Sequence, residues 1–407
     1  MRNLLFFNYN IFANSIFDMK KLPLLLIILF CISKSTYAQD DRRVITTGVP
    51  FLLIAADARS SGMGDQGVAT PVDAFSQQWN AAKFAFSEAK SGIGLSYTPY
   101  LREIVSDINL ANLSYFNRIN EFSAFASSIR YFGLGGVELR ENRDQVAREV
   151  EPNEFAIDLS YSLRLSEQFS MAVTGRFINS NLRFPTGVAD ASAASSFGAD
   201  VSMFYRSEEK FYKDFNGRWR GGLAISNIGP KIRYDDAGEE NFLPTNFKAG
   251  AGFDFILDAS NTIGVHLEVN KLLVPTPPEI QRNEQNQITP ESQQALIDYR
   301  NQNEFSSIFS SWSDAPDGFS EELKEFTWAL GAEYWFEDSF ALRLGYFNET
   351  EQKGFRKFVT MGAGFKYSTI TIDASYLFST STVQNPLEGT LRFGLTFNIA
   401  DNTYIEY

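Results

Sequence analysis

Three glycines near the start of the chain have the spacing of a phosphate-binding loop. Gly62, Gly64 and Gly67 match the pattern G-x-G-x-x-G, and Glu88 follows near the position where a dinucleotide-binding fold places an acidic residue. That chemistry needs a buried strand before the glycines, a helix after them and a parallel βαβ unit. The sequence shows none of these, so we interpret the glycines as residues that permit tight turns.

The single histidine, His266, is the side chain that could serve as general base in a Ser-His-acid hydrolase. It alternates with the apolar residues Val265 and Leu267 and lies near Glu268, a pattern typical of a strand with one polar face. A polar residue facing the interior of a barrel is the simpler interpretation. We therefore expect no catalytic residue in this chain.

The N-terminus has the three parts of a secretory signal peptide. Lys20–Lys21 is a basic pair, Leu22–Ile32 is an apolar run, and Thr36–Ala38 places small residues at the −3 and −1 positions of a cleavage site. Residues 1–38 are predicted to be removed, with Met19 as the start and Gln39 as the first mature residue. The apolar run is too short to span a bilayer, so it is not expected to remain as an anchor.

Few metal ligands remain after export. Cys31, the only cysteine, lies in the predicted signal peptide, which leaves carboxylates and His266. The acidic residues of one loop offer the oxygen ligands that calcium prefers, and they could bind an ion at the outer surface: Asp235, Asp236, Glu239 and Glu240. An ordinary solvated acidic loop explains the same residues. We expect neither a metal nor a cofactor.

The charge balance excludes one class of partner. The chain has 36 Lys and Arg against 49 Asp and Glu, a formal net charge of −13. Cleavage after residue 38 would remove four basic residues and one acidic residue and leave a net charge of −16. A nucleic-acid partner needs a basic face, so none is expected. No apolar run of 18 residues follows the signal peptide, which argues against a helical membrane protein.

The mature sequence repeats stretches of alternating apolar and polar residues. In residues 155–164, Phe155, Ile157 and Leu159 alternate with Ala156 and Asp158, and this period of two predicts strands. We predict a transmembrane antiparallel β-barrel of about fourteen strands, an even number as in bacterial barrels. The predicted strands are 91–98, 108–116, 122–132, 155–164, 169–181, 196–206, 218–228, 246–257, 261–271, 326–336, 339–346, 358–367, 370–378 and 390–399.

The connections between the predicted strands alternate in length. Those after even-numbered strands are mostly short, and those after odd-numbered strands are longer, as expected for periplasmic turns and outer loops of a membrane barrel. The exception is 207–217, and the longest outer loop is 272–325. A soluble protein with half-buried strands would show the same alternation of apolar and polar residues. It would not be expected to have short loops at one end of the sheet and long loops at the other.

Residues 39–90 precede the first predicted strand and do not alternate. We expect this segment to enter the barrel 91–407 as a plug, with a periplasmic tail as the alternative. The glycines described above would then form plug turns together with two further residues, Trp79 and Asn80.

The long loop 272–325 contains a candidate partner-binding surface. Thr289 is a predicted helix cap with Pro290 at the first helical position. Further on, four large apolar residues have the spacing of one helix face: Phe305, Ile308, Phe309 and Trp312. They either fold back onto the rim of the barrel or bind a partner.

The N-terminal residues carry a family resemblance. The run Val44–Arg59 (VITTGVPFLLIAADAR) resembles the start of mature members of the PorV family, also called LptO, and so do Gly62–Asp65 and Gly67–Thr70. Gln78–Phe86 resembles the family's Trp-Asn-Pro-Ala-Lys segment, with Ala81 where proline is usual. The Asn-Pro-Ala element is also similar to one in the FadL-like barrel superfamily. The similarity is strong over residues 44–86 and architectural beyond them.

The resemblance implies a secretion role in the outer membrane. PorV proteins are outer-membrane components of the type IX secretion system of Bacteroidota. They bind cargo with a C-terminal sorting domain as it leaves the translocon barrel SprA, and they shuttle it to the surface attachment machinery that joins it to lipopolysaccharide. The resemblance therefore implies a translocon barrel, cargo, attachment machinery and outer-membrane lipid as partners, without catalysis.

Two other functions stay open at this point. A FadL-like channel for hydrophobic small molecules would need an apolar pocket in the lumen, whereas the inward positions are mostly polar. A lipopolysaccharide deacylase, suggested by the name LptO, would depend on His266.

Overall fold

Strand-forming sequences alternate with turns through most of the chain. The computed structural model describes residues 43–102, 107–139, 148–182, 193–234, 240–381 and 387–399. The predicted signal peptide, its cleavage site before Gln39 and three of the four proposed calcium ligands, Asp235, Asp236 and Glu239, lie outside the described residues.

The described residues form strands at the positions where the alternation predicts them. The strands are β1 Ser91–Pro99, β2 Asn109–Arg118, β3 Ser123–Gly133, β4 Val137–Leu139, β5 Arg148–Val150, β6 Asn153–Arg164, β7 Phe169–Asn181, β8 Ala194–Arg206, β9 Lys210–Tyr212, β10 Phe215–Ile228, β11 Asn246–Ile256, β12 Asn261–Leu272, β13 Thr327–Phe336, β14 Phe340–Asn348, β15 Lys357–Tyr367, β16 Ile370–Ser379 and β17 Leu391–Ile399.

Fourteen of these strands form one closed antiparallel barrel. Each pairs with its neighbours in sequence, and β1 pairs with both β2 and β17, which closes the wall. The other three strands stand outside the wall: β4 pairs only with β5, and β9 extends the edge of β10. The prediction of fourteen strands is confirmed, with boundaries within three residues of those expected from sequence.

Alternation along each strand separates a lipid face from a lumen face. On β6, Leu159 is 63% exposed on the outside while the next residue, Ser160, is 3% exposed and faces the lumen. Register pairing keeps both faces continuous, because Leu159 lies opposite Gly175 and Ser160 opposite Thr174 on β7. The closed barrel wall and its outward apolar face make this an outer-membrane protein.

The two ends of the barrel differ in their connections. At the turn end, β13 and β14 are joined through Glu337 and Asp338, which both have positive φ, the backbone that a tight hairpin requires. The N-terminal segment, described below, contains helices α1 and α2. At the long-loop end, residues 273–326 contain three further helices: α3 Pro290–Asn301, α4 Glu304–Ser310 and α5 Phe319–Glu322. Thr289 caps α3 by accepting a hydrogen bond from Ser292 N, and Pro290 is its first residue, as predicted.

Residues 43–90 pack inside the barrel against lumen-facing side chains. This N-terminal segment contains the helical turns α1 Ala58–Ser61 and α2 Ser76–Trp79, and 3-10 turns at Pro50–Leu53 and Ala81–Phe86. Its apolar side chains form buried clusters with the lumen-facing side chains of the strands. In one of these clusters, Phe51 stacks with Phe132 of β3. No helix of the described residues is both long enough and apolar enough to cross a membrane.

Candidate functional site

Buried ion pairs fasten the N-terminal segment to the barrel wall. Arg59 of α1 donates two hydrogen bonds to Glu333 of β13, at 2.9 and 2.8 Å, and a third to Asp73 at 2.9 Å. Arg343 of β14 donates to the same Glu333 at 2.6 Å and to Asp373 of β16 at 2.7 Å. Because these groups are all but removed from water, the network holds α1 at one position across three strands.

The glycines of the G-x-G-x-x-G pattern allow close backbone approach to the wall. Gly64 has φ +85°, and a Cβ there would lie 2.9 Å from the carbonyl oxygen of Tyr346 on β14. Gly67 N donates to Glu268 Oε2 at 2.7 Å, and a Cβ on Gly67 would overlap the ring of Trp79. The helical turn α1 precedes Gly62 instead of following the glycines, so the geometry is not that of a phosphate-binding loop.

Trp79 and Asn80 connect the glycine turn to the rest of the segment. Trp79 Nε1 donates to Asp57 Oδ2 at 2.7 Å. Asn80 Nδ2 donates to the carbonyl of Val68 at 2.9 Å and to that of Met203 on β8 at 2.8 Å. Its Oδ1 accepts from Ala82 N and caps the 3-10 turn that begins at Ala81. The turn therefore forms with alanine at this position.

Lys83 is a fully buried cation within the same segment. Its Nζ donates to the carbonyl of Gly67 at 2.8 Å and to Thr70 Oγ1 at 3.1 Å. Burial lowers the pKa of Lys83 to about 8. This lysine thus ties the end of the segment back to the glycine turn.

His266 stands apart from any catalytic arrangement. It faces the lumen from β12 and is 2% exposed. Among the described residues neither ring nitrogen has a hydrogen-bond partner, and the ring packs beside Gly252 and Gly264. A Ser-His-acid triad requires partners on both nitrogens.

Two cavities lie on opposite sides of the N-terminal segment. The loop-side cavity has a volume of about 630 Å³ and lies towards the long-loop end, between the segment and Tyr100, Phe132 and Phe347. The turn-side cavity has a volume of about 550 Å³ and reaches Ala259 and Ser368 at the turn end. The two share no lining residue, and residues of the N-terminal segment line both.

The apolar stripe of the long loop is split between two environments. The helix α4 ends at Ser310, so Trp312 lies beyond it and packs on the rim, 5.2 Å from the ring of Phe247 and 6.2 Å from that of Phe326. Phe305 and Phe309 are 52% and 80% exposed, and Ile308 is half-buried. Trp312 is itself 43% exposed, so it folds back onto the rim only in part, and Phe305 and Phe309 are more accessible.

A second pair of accessible residues was not identified from sequence. Phe319 and Leu323 are 76% and 55% exposed in the same loop. Their spacing of four residues is the signal that could have indicated them. We call the three exposed phenylalanines of the long loop, Phe305, Phe309 and Phe319, the outer-loop patch.

Charged residues at the base of the long loop hold it to the barrel. Lys271 Nζ contacts Glu322 at 3.0 Å and also Glu325, and Lys353 Nζ contacts Glu321 at 2.7 Å and Glu325 at 2.8 Å. Arg43 donates to Glu321 at 2.9 Å. Burial raises the pKa of Glu321, but hydrogen bonds from Lys353 and Arg43 outweigh this and lower it to about 2.

These carboxylates are not arranged as a free metal site. Oxygens of Asp314, Glu322 and Glu325 lie within 4.8 Å of one another, but Lys271 and Lys353 already neutralise the two glutamates. Glu240, the described member of the proposed calcium set, pairs with Arg233.

Solved structures similar to this chain include two toluene transporters and a FadL homologue. The Pseudomonas putida toluene transporter TodX is 9% identical, with 85% of this chain and 99% of that chain covered and a TM-score of 0.48. The Ralstonia pickettii toluene transporter TbuX is 10% identical over 86% and 100%, with a TM-score of 0.47. A Pseudomonas aeruginosa FadL homologue is 12% identical over 85% and 98%, with a TM-score of 0.43. No curated protein matches the sequence.

The sequence itself matches one family model. Residues 37–279, more than half of the chain, match the model described as type IX secretion system protein PorV. The match spans the N-terminal segment, where the residue-level resemblance is strongest, and the barrel through β12. The chain belongs to the PorV family and is an outer-membrane β-barrel component of the type IX secretion system.

Proposed function

We propose that this protein binds cargo carrying a C-terminal sorting domain as the cargo leaves the translocon and shuttles it to the surface attachment machinery. The proposed partners are an SprA-like translocon barrel, the cargo, the attachment machinery, and outer-membrane lipid and lipopolysaccharide. The family supplies the secretion context. The step from that context to cargo binding is the proposal.

The observation that carries the proposal is the outer-loop patch. Its three phenylalanines, Phe305, Phe309 and Phe319, are each more than half exposed at the end of the barrel opposite the short turns. Covering a large apolar side chain with a partner removes it from water and stabilises the complex by roughly 1.5–3 kcal/mol for each side chain. Such a patch on an anchored loop suits a transient contact with a partner protein, which must both associate and dissociate.

The position of the N-terminal segment supports the proposal that the protein acts through its outer loop and not by transport through the lumen. We propose that residues 39–90 act as a plug, because Arg59 and its partners Glu333 and Asp73 fasten the described part between two separate cavities. The alternative, a FadL-like channel for hydrophobic small molecules, would require this network to open. The exposed loop needs no such rearrangement.

We also propose that the protein is not an enzyme. His266 is buried with both ring nitrogens unpartnered among the described residues, which is unsuited to general-base catalysis. Replacing His266 with alanine should therefore leave secretion intact and lipopolysaccharide acylation unchanged.

The experiment replaces Phe305 and Phe309 with aspartate. We expect the double variant to fold, shown by a heat-modifiable band on an unboiled gel, because α4 lies outside the barrel strands. Co-purification with the translocon barrel and cell-surface display of sorting-domain cargo should both fall several-fold.

Phe211→Asp provides the matched control. Phe211 is 77% exposed, close to the 80% of Phe309, but it lies in β9 at the turn end. It should leave cargo display normal. Unchanged co-purification and display in the folded double variant would refute the assignment of the outer-loop patch to partner binding.

A further inference from the structure

The wall of the loop-side cavity contains a lysine. Lys248 lines the cavity from β11, and it has no ion-pair partner among the described residues. Its Nζ lies 4.6 Å from the centroid of the Trp79 ring, a contact that leaves the ammonium able to bind an anion. Lys248 forms no direct ion pair among the described residues, so a bound anionic group would supply one and stabilise the ammonium.

Hydrogen-bond acceptors lie directly beside this lysine. Asn270 on β12 is the register partner of Lys248, and Glu268 is the next lumen-facing residue on the same strand. Both line the cavity. Glu268 Oε2 accepts from the backbone of Gly67 and Val68, but its Oε1 and the Oδ1 of Asn270 have no partner among the described residues. Glu268 is 2% exposed.

Part of the cavity wall is apolar. Phe51, Leu101, Phe347 and Phe358 line it. Its volume of about 630 Å³ lies within the range of small-molecule sites, roughly 300–1,000 Å³. A cation, adjacent acceptors and an aromatic wall therefore meet in one space.

We propose that the loop-side cavity binds a zwitterionic amphiphile with a single apolar chain. The anionic group of the ligand would contact Lys248, and its primary ammonium would donate to Glu268 and Asn270, with the chain against the aromatic wall. A simple fatty acid could pair only with Lys248, and a simple amine could donate hydrogen bonds only to Glu268 and Asn270. The site is independent of the outer-loop patch and needs no transport through the lumen.

The test compares three ligands with the same hydrocarbon chain: 2-aminodecanoate, decanoate and decylamine. The whole protein is placed in phosphatidylglycerol nanodiscs, and equilibrium dialysis of the labelled ligands is corrected with empty nanodiscs. We expect saturable binding of one 2-aminodecanoate per barrel, about tenfold or more tighter than either single-charge ligand, because each loses a charge-assisted contact. Displacement by lysophosphatidylethanolamine would identify a lipid headgroup as the source, and lack of displacement a free amphiphile.

Three variants locate the site. Lys248→Met and Asn270→Leu should each weaken 2-aminodecanoate binding about tenfold. Asn398→Leu makes the same substitution in the turn-side cavity and should leave binding unchanged. If Lys248→Met loses its heat-modifiable band, Lys248→Gln takes its place. Decanoate binding as tightly as the zwitterion, no saturable binding above empty nanodiscs, or full affinity in the folded lysine variant would each overturn the proposal.

Discussion

The N-terminal segment and the long loop are both held to the barrel by ion pairs, yet with different consequences. In the lumen, Arg59 is fastened to Glu333 on the wall and to Asp73 within the segment, both largely hidden from water. In the loop, the pairs gather at its base around Glu321 and Glu325, while the tip keeps Phe309 exposed. The first arrangement immobilises a whole segment, and the second anchors a loop but leaves its apolar residues accessible.

This difference follows from how charges and apolar groups behave away from water. A buried charge needs its partner at a defined distance, so a network across several strands tolerates little movement. An exposed phenylalanine has no such requirement and can be covered by different surfaces. This difference is consistent with the proposed plug role of the segment and the proposed partner-binding role of the loop.

The strongest test of the comparison removes the central lumen cation. Arg59→Met leaves Glu333 with Arg343 alone and should lower the free energy of unfolding by about 3–5 kcal/mol, the cost of breaking a buried pair. Urea titration followed by tryptophan fluorescence measures it. Lys366→Met is the control, because its pair with Asp338 is exposed and worth at most about 1 kcal/mol. Equal losses in both variants would contradict the view that the lumen network is the stronger anchor.

A smaller effect is expected at the glycine turn. Gly64→Ala places a side chain at φ +85° and 2.9 Å from the Tyr346 carbonyl, so it should destabilise by roughly 1–3 kcal/mol. Gly175→Ala on β7 is the matched control, since a Cβ there meets nothing within 4 Å. The same urea titration compares them. A Gly64→Ala protein as stable as Gly175→Ala would show that the segment does not depend on this close approach.

The smallest effect concerns pH and the base of the long loop. Because the folded pKa of Glu321 is about 2 against an ordinary 4.5, its ion pairs stabilise the loop fully above pH 4.5. That stabilisation declines below pH 4.5 and is lost as the pH falls through about 2. The hydrogen-exchange protection factors of residues 315–325, which are corrected for the intrinsic pH dependence of amide exchange, should therefore fall over this interval while the barrel strands stay protected.

Glu321→Gln provides the control for the pH dependence. Its side chain at position 321 cannot titrate, so its loop should have lower protection factors at neutral pH and lose less protection than the wild type between pH 4.5 and 2. A wild-type loop whose protection factors show no pH dependence in this interval would argue against the Arg43 and Lys353 pairs as its anchor.

Much of the barrel could be predicted from the chain alone because strand periodicity is local. A residue such as Leu159 and its neighbour Ser160 point to opposite sides of any pleated strand, so the pattern indicates both the strand and its two faces. The cap Thr289 with Pro290 is equally local, since both act within one turn of helix. The family resemblance likewise resided in a continuous run of residues.

The candidate sites depended on contacts between distant parts of the chain. Arg43 meets Glu321 across 278 positions, and Arg59 meets Glu333 across 274. Sequence spacing placed Trp312 on one face with Phe309, but the helix ends before Trp312, which packs on the rim instead.

The amino-acid sequence by itself determined the number of strands, which face of each strand meets lipid and where the long loop lies, because these follow from alternation and turn residues along the chain. Only the tertiary structure decided which residues line the two cavities, which aromatic residues remain exposed and that Lys248 lies beside Asn270 in one cavity. Those features arise when barrel closure brings distant side chains together. Burial then raises the free-energy cost of leaving a charge unpaired.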